Sequence, residues 1–381
     1  MSDAIGHQEH SAAPAALSLQ PVVSCPCVGL NSQARAARLL GTELVCVQQY
    51  DIRGEFGSVL QRITGSLDEV FVGKTVGDIT KVPIENIERQ VDGLIAGPPC
   101  PPYSVIGKKL GSQDIRCEVL VVVGLWITRL AHAGMKWFVI ENVNGILKRD
   151  RILGRSVAEW FMENLRESLP CGWALRVQKV NCKDCGLPHN RPRVFITGTS
   201  ETMRATSYQR GLLTAELKPH PRRLLAEFLD TDSDSSEDFD RLTVSQQLNV
   251  LMHIDRFQRY CESAAAPPSI MVTDAARAFG KEFAVNCAYD EIHCLRTNCS
   301  SLWLVPAKHM EKKLGKHGRS LRRDEKSRLC GFAPETLESL SDRELDHALG
   351  NRIPVPQLAV VLDPILKCWD LAVRGCSSES A

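Results

Sequence analysis

The stretch Gly93-Leu94-Ile95-Ala96-Gly97-Pro98-Pro99-Cys100-Pro101-Pro102-Tyr103-Ser104 joins a short apolar segment to a loop built around a single cysteine. The first four residues, Gly93–Ala96, are predicted to form a buried strand. Proline fixes φ and lacks a backbone donor, so the four prolines around Cys100 predict a rigid, non-helical loop. Such a loop at the end of a strand can hold a thiol at a fixed position for attack, whereas the common alternative is a buried structural cysteine.

Short apolar runs alternate with helical patterns on both sides of this stretch. Further strands are predicted at Pro21–Val28, Leu44–Gln48, Trp137–Glu141, Leu175–Val180 and Val194–Thr197. Helices are predicted between them at Ser32–Leu40, Ile115–Ala133 and Val157–Leu169. This alternation predicts an α/β fold with a mostly parallel sheet and helices on both faces. Ligands of such sheets bind beyond the carboxyl ends of the strands, so the loops there are where we expect chemistry.

Two other segments place charged side chains at strand edges of the same predicted sheet. Glu141 ends an apolar strand, where a carboxylate is costly unless it is paired or functional. Arg191 and Arg193 lead into the strand Val194–Thr197, and we expect one to face the site and the other to support its loop. A thiolate, a carboxyl group and a guanidinium together suit attack on a polarised heteroaromatic ring.

Composition sets limits on the class of protein. The 381 residues carry a formal net charge of +1 and are 44% hydrophobic, the balance of an ordinary globular protein. Any basic surface must therefore come from local clustering. We see neither a secretory signal nor an apolar stretch long enough to span a bilayer, so the 15 cysteines are interpreted as reduced thiols of an intracellular protein. Residues 1–20 are predicted to be a disordered tail.

In their order along the chain, these blocks resemble the motifs of the cytosine-C5 DNA methyltransferase family. The resemblance covers roughly residues 21–370 and leaves 200–315 unmatched. Its blocks are Cys27-Val28-Gly29-Leu30-Asn31-Ser32; Gly77-Asp78-Ile79; the Pro-Cys loop with Ser104, Gly107, Lys108, Gly111, Asp114 and Arg116; Glu141-Asn142-Val143; Gly186–Arg193; Arg319-Ser320-Leu321 with Glu325 and Gly331-Phe332; and Gly350-Asn351-Arg352-Ile353-Pro354-Val355.

The resemblance implies a class I methyltransferase fold, Rossmann-like, in which the thiolate of Cys100 attacks C6 of a cytosine flipped out of double-stranded DNA. Glu141 would hold the N3 and amine edge of the base. Arg193, with Arg191 in the same block, would help to fix the base and the cysteine loop. Residues 21–200 and 319–370 would form the catalytic domain, and 201–318 a target-recognition lobe with an acidic linker at 230–240.

The cofactor implied is S-adenosyl-L-methionine, with no metal. Asn31 and Ser32 stand where the family commonly has glycines, as small residues also do in its eukaryotic de novo enzymes. Gln49 aligns with the acidic residue that holds the ribose hydroxyls, and Asp51 is the other candidate for that role. The residues that the resemblance assigns to the cofactor are Cys27, Gly29, Leu30, Asn31, Gln49, Asp78, Ile79, Pro98, Asn351 and Val355.

Two other functions stay open. One branch of the family methylates cytosine in transfer RNA, although the loop here lacks the Gln-Pro-Phe-Thr continuation expected there. A non-catalytic methyltransferase-like module that binds DNA or protein partners is the second, favoured by Gln49 and the altered glycine loop. We favour an active DNA enzyme because Cys100, Glu141 and Arg193 are all present. A nuclear location is expected, with the cytoplasm as the alternative; no membrane is implied, and protein partners are not indicated.

Three local patterns have competing interpretations. Cys182 and Cys185 with His189 resemble half of a zinc site, but no second Cys-x-x-Cys follows and His189 already belongs to a matched block, in place of the usual Gln. The run Lys308–Arg328 holds nine Lys or Arg and three acids, which favours either a solvated helix face or contact with phosphates. Residues 230–240 hold six acids, typical of a solvated linker.

Overall fold

The computed structural model describes residues 20–53, 57, 59–60, 70–72, 77–87, 90–100, 102–103, 114–231, 236–276, 287–295, 297 and 302–378. The predicted tail, apart from Gln20, lies outside the described residues, as do Ser104, Gly107, Lys108 and Gly111 of the matched blocks. No helix within these ranges is long and apolar enough to cross a membrane.

Strands and helices alternate through the first half of the described chain. The strands are β1 (Val22–Pro26), β2 (Val45–Asp51), β3 (Val70–Val72), β4 (Gly93–Ala96), β5 (Trp137–Val143), β6 (Ala174–Asn181), β7 (His189–Asn190), β8 (Pro192–Thr199), β9 (Ile270–Asp274), β10 (Ala288–Tyr289), β11 (Ile292–His293), β12 (Leu302–Pro306) and β13 (Arg319–Ser320). The helices are α1 (Ser32–Leu39), α2 (Cys117–His132), α3 (Val157–Ser168), α4 (Ser207–Thr214), α5 (Ser236–Asp240), α6 (Val244–Ser263), α7 (Glu311–Leu314), α8 (Arg323–Arg328), α9 (Asp342–Asn351) and α10 (Val355–Ser378). All the predicted strands and helices of residues 21–200 are confirmed, with shifted ends.

Within the described part of the chain, the main sheet has seven strands in the order β3-β2-β1-β4-β5-β8-β6. Neighbouring strands from β3 to β5 run parallel, and β8 is antiparallel to both β5 and β6. Because the connections between parallel strands return over the faces of the sheet, helices cover both of them. The predicted α/β fold with a mostly parallel sheet is therefore confirmed.

Alternate residues of the central strands enter two different cores. Ile95 and Val139 pack in the core that contains α1 and α10. Leu94 and Phe138 pack on the opposite face, against α2 and α3. Burial on both faces explains why these strands read as continuous apolar runs in the sequence.

Two of the strand ends that differ from the predictions lie near the candidate cofactor loop. β1 ends at Pro26 because Cys27 adopts a left-handed φ of 60°. β2 continues past Gln48, which has a φ of 48° and forms a bulge where the pairing register between β1 and β2 shifts. A bulge turns the residues that follow it relative to the strand pattern before it.

A smaller antiparallel sheet of order β10-β9-β12-β13 is built mostly from the predicted target-recognition lobe. One face of it, including Val272 and Leu304, belongs to the same core as the main sheet. The opposite face, including Met271 and Trp303, packs against α6. A continuous apolar core therefore joins this sheet to the main domain.

Much of the basic run Lys308–Arg328 is used inside the protein. Arg319 and Glu325 form a fully buried ion pair with a 2.6 Å contact. Lys326 lies 2.6 Å from Asp346, and Arg328 lies 2.6 Å from Asp230 of the predicted linker. Asp230 of the acidic linker thus forms an ion pair within the protein with Arg328 of the basic run. Contact with phosphates remains an interpretation for the exposed lysines of the run, which are Lys308, Lys312 and Lys316.

Candidate active site

Three strand ends meet at one edge of the main sheet. The cysteine loop follows β4, whose Ala96 pairs with Ile140 of β5. Because β8 is antiparallel to β5, its beginning lies at the carboxyl end of β5, where Val143 pairs with Arg193. Strand pairing therefore brings the cysteine loop, Glu141 and Arg193 to the same edge.

Glu141 and Arg193 form a buried ion pair. Arg193 Nε lies 2.8 Å from Glu141 Oε1, and the two side chains are 9% and 8% exposed. Burial raises the pKa of Glu141 above its ordinary value, although the guanidinium groups of Arg193 and Arg191 oppose the rise. A carboxyl group with a raised pKa retains its proton more readily, as is required to donate to a ring nitrogen.

Cys100 is a partly exposed residue that interacts electrostatically with Glu141 and Arg193. Burial, followed by the charge of Glu141, raises the pKa of Cys100, while Arg193 and Arg191 oppose the rise. The loop is tied to β5 by Asn142, whose Nδ2 donates to the carbonyl of Pro98 at 3.4 Å. A Cβ on Gly97 would stand 3.7 Å from Glu141 Oε2, so the glycine leaves that side of the carboxylate open.

Arg191 is placed differently from Arg193. It is 1% exposed, and its guanidinium donates to the carbonyls of Leu295, Gly350 and Arg352 at 3.0, 2.9 and 2.8 Å. These carbonyls belong to the closing block of the family resemblance and to the segment after β11. Of the two arginines, Arg193 therefore contacts the acid of the site, and Arg191 holds three chain segments together behind it.

The altered glycine loop has a defined geometry. Cys27, Gly29 and Asn31 all have left-handed φ values, of 60°, 56° and 50°. Asparagine tolerates this region better than most residues, and Asn31 also begins α1 by accepting a hydrogen bond from the Ala34 N–H at 3.4 Å. Ser32 Oγ donates to the Ile353 carbonyl at 2.5 Å, which ties the loop to the closing block. The two replacements thus stabilise the loop.

Gly29 faces open space, because a Cβ built on it would meet nothing within 4 Å. The carboxylate of Asp78 caps a short 3₁₀ turn, Ile79–Lys81, by accepting from the Thr80 N–H at 3.0 Å. Burial, and then the charges of Asp51 and Asp78, raise the pKa of Cys27, so both carboxylates lie close to this thiol. An open loop flanked by two carboxylates fits a ligand with positive charge, as the sulfonium and ammonium groups of S-adenosylmethionine have.

Gln49 and Asp51 take different positions. Gln49 is buried in β2 and donates to the carbonyl of Cys46 at 3.2 Å. Asp51, beyond the bulge at Gln48, accepts a hydrogen bond from the Gly29 N–H at 2.8 Å. The structure therefore favours Asp51 over Gln49 for the position that an acidic residue takes in the cofactor pocket.

This placement gives a first prediction. We expect Asp51→Asn to weaken S-adenosylmethionine binding by about tenfold, because a charged acceptor binds roughly twice as strongly as a neutral one and the loop loses its anchor. Gln49→Ala is the matched control and should change the affinity by less than about threefold. Isothermal titration of each variant with the cofactor measures both. A large loss in the Gln49 variant with none in the Asp51 variant would reverse the assignment.

The other residues assigned to the cofactor fall into two groups. Leu30, Ile79, Pro98 and Val355 are buried around the loop or in the adjoining core. Asn351 lies exposed on α9, with Nδ2 3.1 Å from His347 Nδ1, and His347 in turn contacts Arg53. The structure therefore brings Cys27, Gly29 and Asp78 together at the loop, whereas Asn351 contacts His347.

Cys182, Cys185 and His189, the residues of the possible zinc site, form hydrogen bonds with other groups of the protein. Cys182 Sγ donates to Gln357 Oε1 at 3.4 Å and Cys185 Sγ donates to the Asn181 carbonyl at 3.3 Å. Both ring nitrogens of His189 contact the backbone, at Leu329 and Leu295. Within the described ranges, no cluster of three His, Cys, Asp or Glu side chains is arranged to hold a metal.

Sequence reasoning missed Cys294. Its sulfur accepts from Arg191 Nη1 at 3.3 Å and from Arg193 Nη2 at 3.7 Å. This cysteine lies in the stretch 200–315, which the family resemblance does not cover, and its spacing from the other blocks carries no signal. Only the pairing of β11 with β7 brings it to the site.

Comparison with known proteins now decides the family. The model for C-5 cytosine-specific DNA methylases matches residues 67–367. The chain belongs to this family. The type II methyltransferase M.NlaIV of Neisseria lactamica is 34% identical to this chain over 139 residues, which are 35% of this chain and 31% of M.NlaIV. A segment covering about a third of M.NlaIV is therefore aligned.

Longer matches are more distant. M1.ScrFI of Lactococcus lactis subsp. cremoris is 23% identical over 328 residues, which are 86% of this chain and 75% of M1.ScrFI. The crystal structure of the Dnmt2 methyltransferase of S. pombe superposes with a TM-score of 0.56 at 16% identity, covering 91% of this chain and 99% of that one. This likeness and the sheet order confirm the predicted class I methyltransferase fold of this family member.

Proposed function

We propose that the protein is a DNA (cytosine-5-)-methyltransferase that acts on a flipped cytosine through a covalent adduct with Cys100. The observation that carries this proposal is the buried Glu141–Arg193 pair beside the partly exposed residue Cys100, at the carboxyl edge of the sheet. Membership of the C-5 cytosine-specific DNA methylase family supports the same reaction and DNA as the substrate.

Each residue of the edge has a distinct task in this reaction. The Cys100 thiolate adds to C6 of cytosine, which makes C5 nucleophilic. Glu141 holds the N3 and amine edge, and its raised pKa keeps the proton available to N3 as charge develops there. Arg193 keeps the carboxyl group oriented through the 2.8 Å contact. After transfer, loss of the C5 proton expels Cys100 and restores the aromatic ring.

S-adenosylmethionine, when bound, supplies an electrophilic methyl group. The residues that fit it are the open loop at Gly29 and the carboxylates of Asp51 and Asp78. The thiol of Cys100 must approach a base that a duplex keeps stacked, so the substrate cytosine is flipped out at a cost of a few kcal/mol. The nuclear location stays a prediction from the sequence, as does the division into a catalytic domain and a target-recognition lobe.

The test is covalent trapping on 5-fluorocytosine. At this base the C5 proton is replaced by fluorine, so the adduct with Cys100 cannot resolve. We expect a denaturation-resistant complex between the protein and a fluorinated DNA duplex that requires both S-adenosylmethionine and Cys100. Cys100→Ser should abolish it, and Cys171→Ser, which changes an exposed cysteine outside the site, should retain it.

The substrate class is decided by the same experiment. An RNA of matching sequence, fluorinated at the same cytosine, serves as the competing substrate. An adduct with RNA alone would replace the DNA proposal by the transfer-RNA one. Absence of any adduct, together with absence of cofactor binding by calorimetry, would show a non-catalytic binding module instead.

A further inference from the structure

Cys294 approaches the active site from the segment that follows β11. β11 pairs in parallel with β7, and His293 lies opposite Asn190. Cys294 follows β11 and Arg191 follows β7, so the parallel pairing sets them side by side. This placement explains the 3.3 Å contact between them. The residue Cys294 is partly exposed, as is Cys100. Two thiols from segments almost 200 residues apart therefore share one arginine pair.

The charges around Cys294 come from every segment packed against it. Arg191 and Arg193 contact its sulfur directly, and Arg352 and the thiol of Cys330 interact with it from the closing block and the turn after α8. Burial opposes ionisation of Cys294, but the charges of Arg191 and Arg193 outweigh it, so the pKa of Cys294 is lowered. In contrast, burial raises the pKa of the thiols of Cys100, Cys182 and Cys330.

Arg193 is held between two acidic groups. Its Nε contacts Glu141 Oε1 at 2.8 Å, and its Nη2 contacts Cys294 Sγ at 3.7 Å. Its Nη1 donates to the Pro192 carbonyl at 2.8 Å. Each of the three guanidinium nitrogens thus has a different partner, and a planar group with three partners has a fixed orientation.

We propose that Cys294 is a positioning residue of methyl transfer, whose sulfur accepts from Arg191 Nη1 and Arg193 Nη2 and holds both guanidinium groups so that Arg193 stays on Glu141. This inference rests on the proposed function, because a role in methyl transfer presupposes that reaction. It assigns a task to a residue of the stretch that the motif resemblance leaves unmatched.

The arrangement has a consequence for the nucleophile. Once Cys294 has ionised, its negative charge neutralises part of the arginine charge that would otherwise stabilise the Cys100 thiolate. With a neutral side chain at 294, Arg191 and Arg193 act more strongly on Cys100, and its pKa falls. The thiol of Cys100 then ionises at lower pH, while Arg193 loses one of its three fixed partners.

The first experiment measures thiol ionisation in the free enzyme. Alkylation by iodoacetamide follows the thiolate fraction, and peptide mass spectrometry resolves it residue by residue across pH. We expect the wild-type Cys294 to react at a lower pH than Cys100. In Cys294→Ser, which is neutral, the midpoint for Cys100 should move down by about one unit. In Cys294→Asp, which keeps a negative charge, it should not move down.

The second experiment measures methyl transfer by the same variants. Loss of the Cys294 contact should lower kcat by roughly tenfold in Cys294→Ser, with a smaller loss in Cys294→Asp and none in Cys171→Ser. A residue that only fills space would give equal losses in both Cys294 variants and leave the Cys100 midpoint unchanged, which would overturn the proposal. Because alkylation needs neither cofactor nor nucleic acid, a failure of the proposed function leaves the alkylation result intact and readable.

Discussion

Replacing Glu141 with glutamine is expected to lower the rate of methyl transfer by about 10²- to 10⁴-fold, the usual contribution of a positioned general acid. The amide retains an oxygen that can accept from Arg193 Nε, so the 2.8 Å contact has a substitute. The N–H groups of the amide can donate a hydrogen bond but cannot transfer a proton to the ring nitrogen of cytosine. The loss should therefore appear in the rate constant for single-turnover methylation of a DNA duplex.

The control for this prediction separates chemistry from folding. Glu141 is buried beside two arginines, so a neutral residue there leaves their charge less well compensated. Thermal unfolding and S-adenosylmethionine titration of Glu141→Gln report that cost independently of the rate. A variant that binds cofactor normally and still methylates within about threefold of the wild-type rate would remove Glu141 from the mechanism.

Replacing Arg191 with methionine is expected to lower the free energy of unfolding by about 3–5 kcal/mol, a large part of the stability of an ordinary domain. Methionine fills a similar volume but donates nothing. The carbonyls of Leu295, Gly350 and Arg352 would lose the hydrogen bonds that join three separate segments. Activity should fall with it, because Arg191 also holds Cys294 behind Arg193.

Arg176→Met is the matched control for Arg191→Met. Arg176 also donates to two backbone carbonyls, of Leu213 and Ala215, but it is less buried and lies on β6 outside the site. We expect its replacement to cost about 1–2 kcal/mol in urea unfolding. If the two variants lost the same free energy of unfolding, the three hydrogen bonds of Arg191 would contribute no more to stability than the two of Arg176.

The predictable part of the site is the part encoded in local patterns. Cys100 and Glu141 each follow an apolar run that the sequence identifies as a strand, and Arg193 precedes one. Parallel strands present their carboxyl ends at one edge, so the expectation that these residues meet needed no tertiary information. The contact of Arg193 with Glu141 fits that expectation.

The assignment of Gln49 shows where local patterns are insufficient. Strand alternation is a period of two, and one bulged residue reverses it for all that follow. Gln48 is that residue, and its φ of 48° is not signalled by its residue type. As a result, the Asp51 carboxylate accepts from the Gly29 N–H, while the Gln49 side chain donates to the Cys46 carbonyl of its own strand.

The sequence by itself determined the order of strands and helices, the class of fold and the edge at which the thiol, the carboxyl group and a guanidinium lie. These follow from apolar periodicity and proline-rich turns, which act over a few residues. Only the tertiary structure decided that Arg191 joins separate segments through hydrogen bonds, that Cys294 contacts both arginines and that the basic run is paired internally. Those contacts join segments far apart in the chain, and their partners are selected by packing, which no local pattern records.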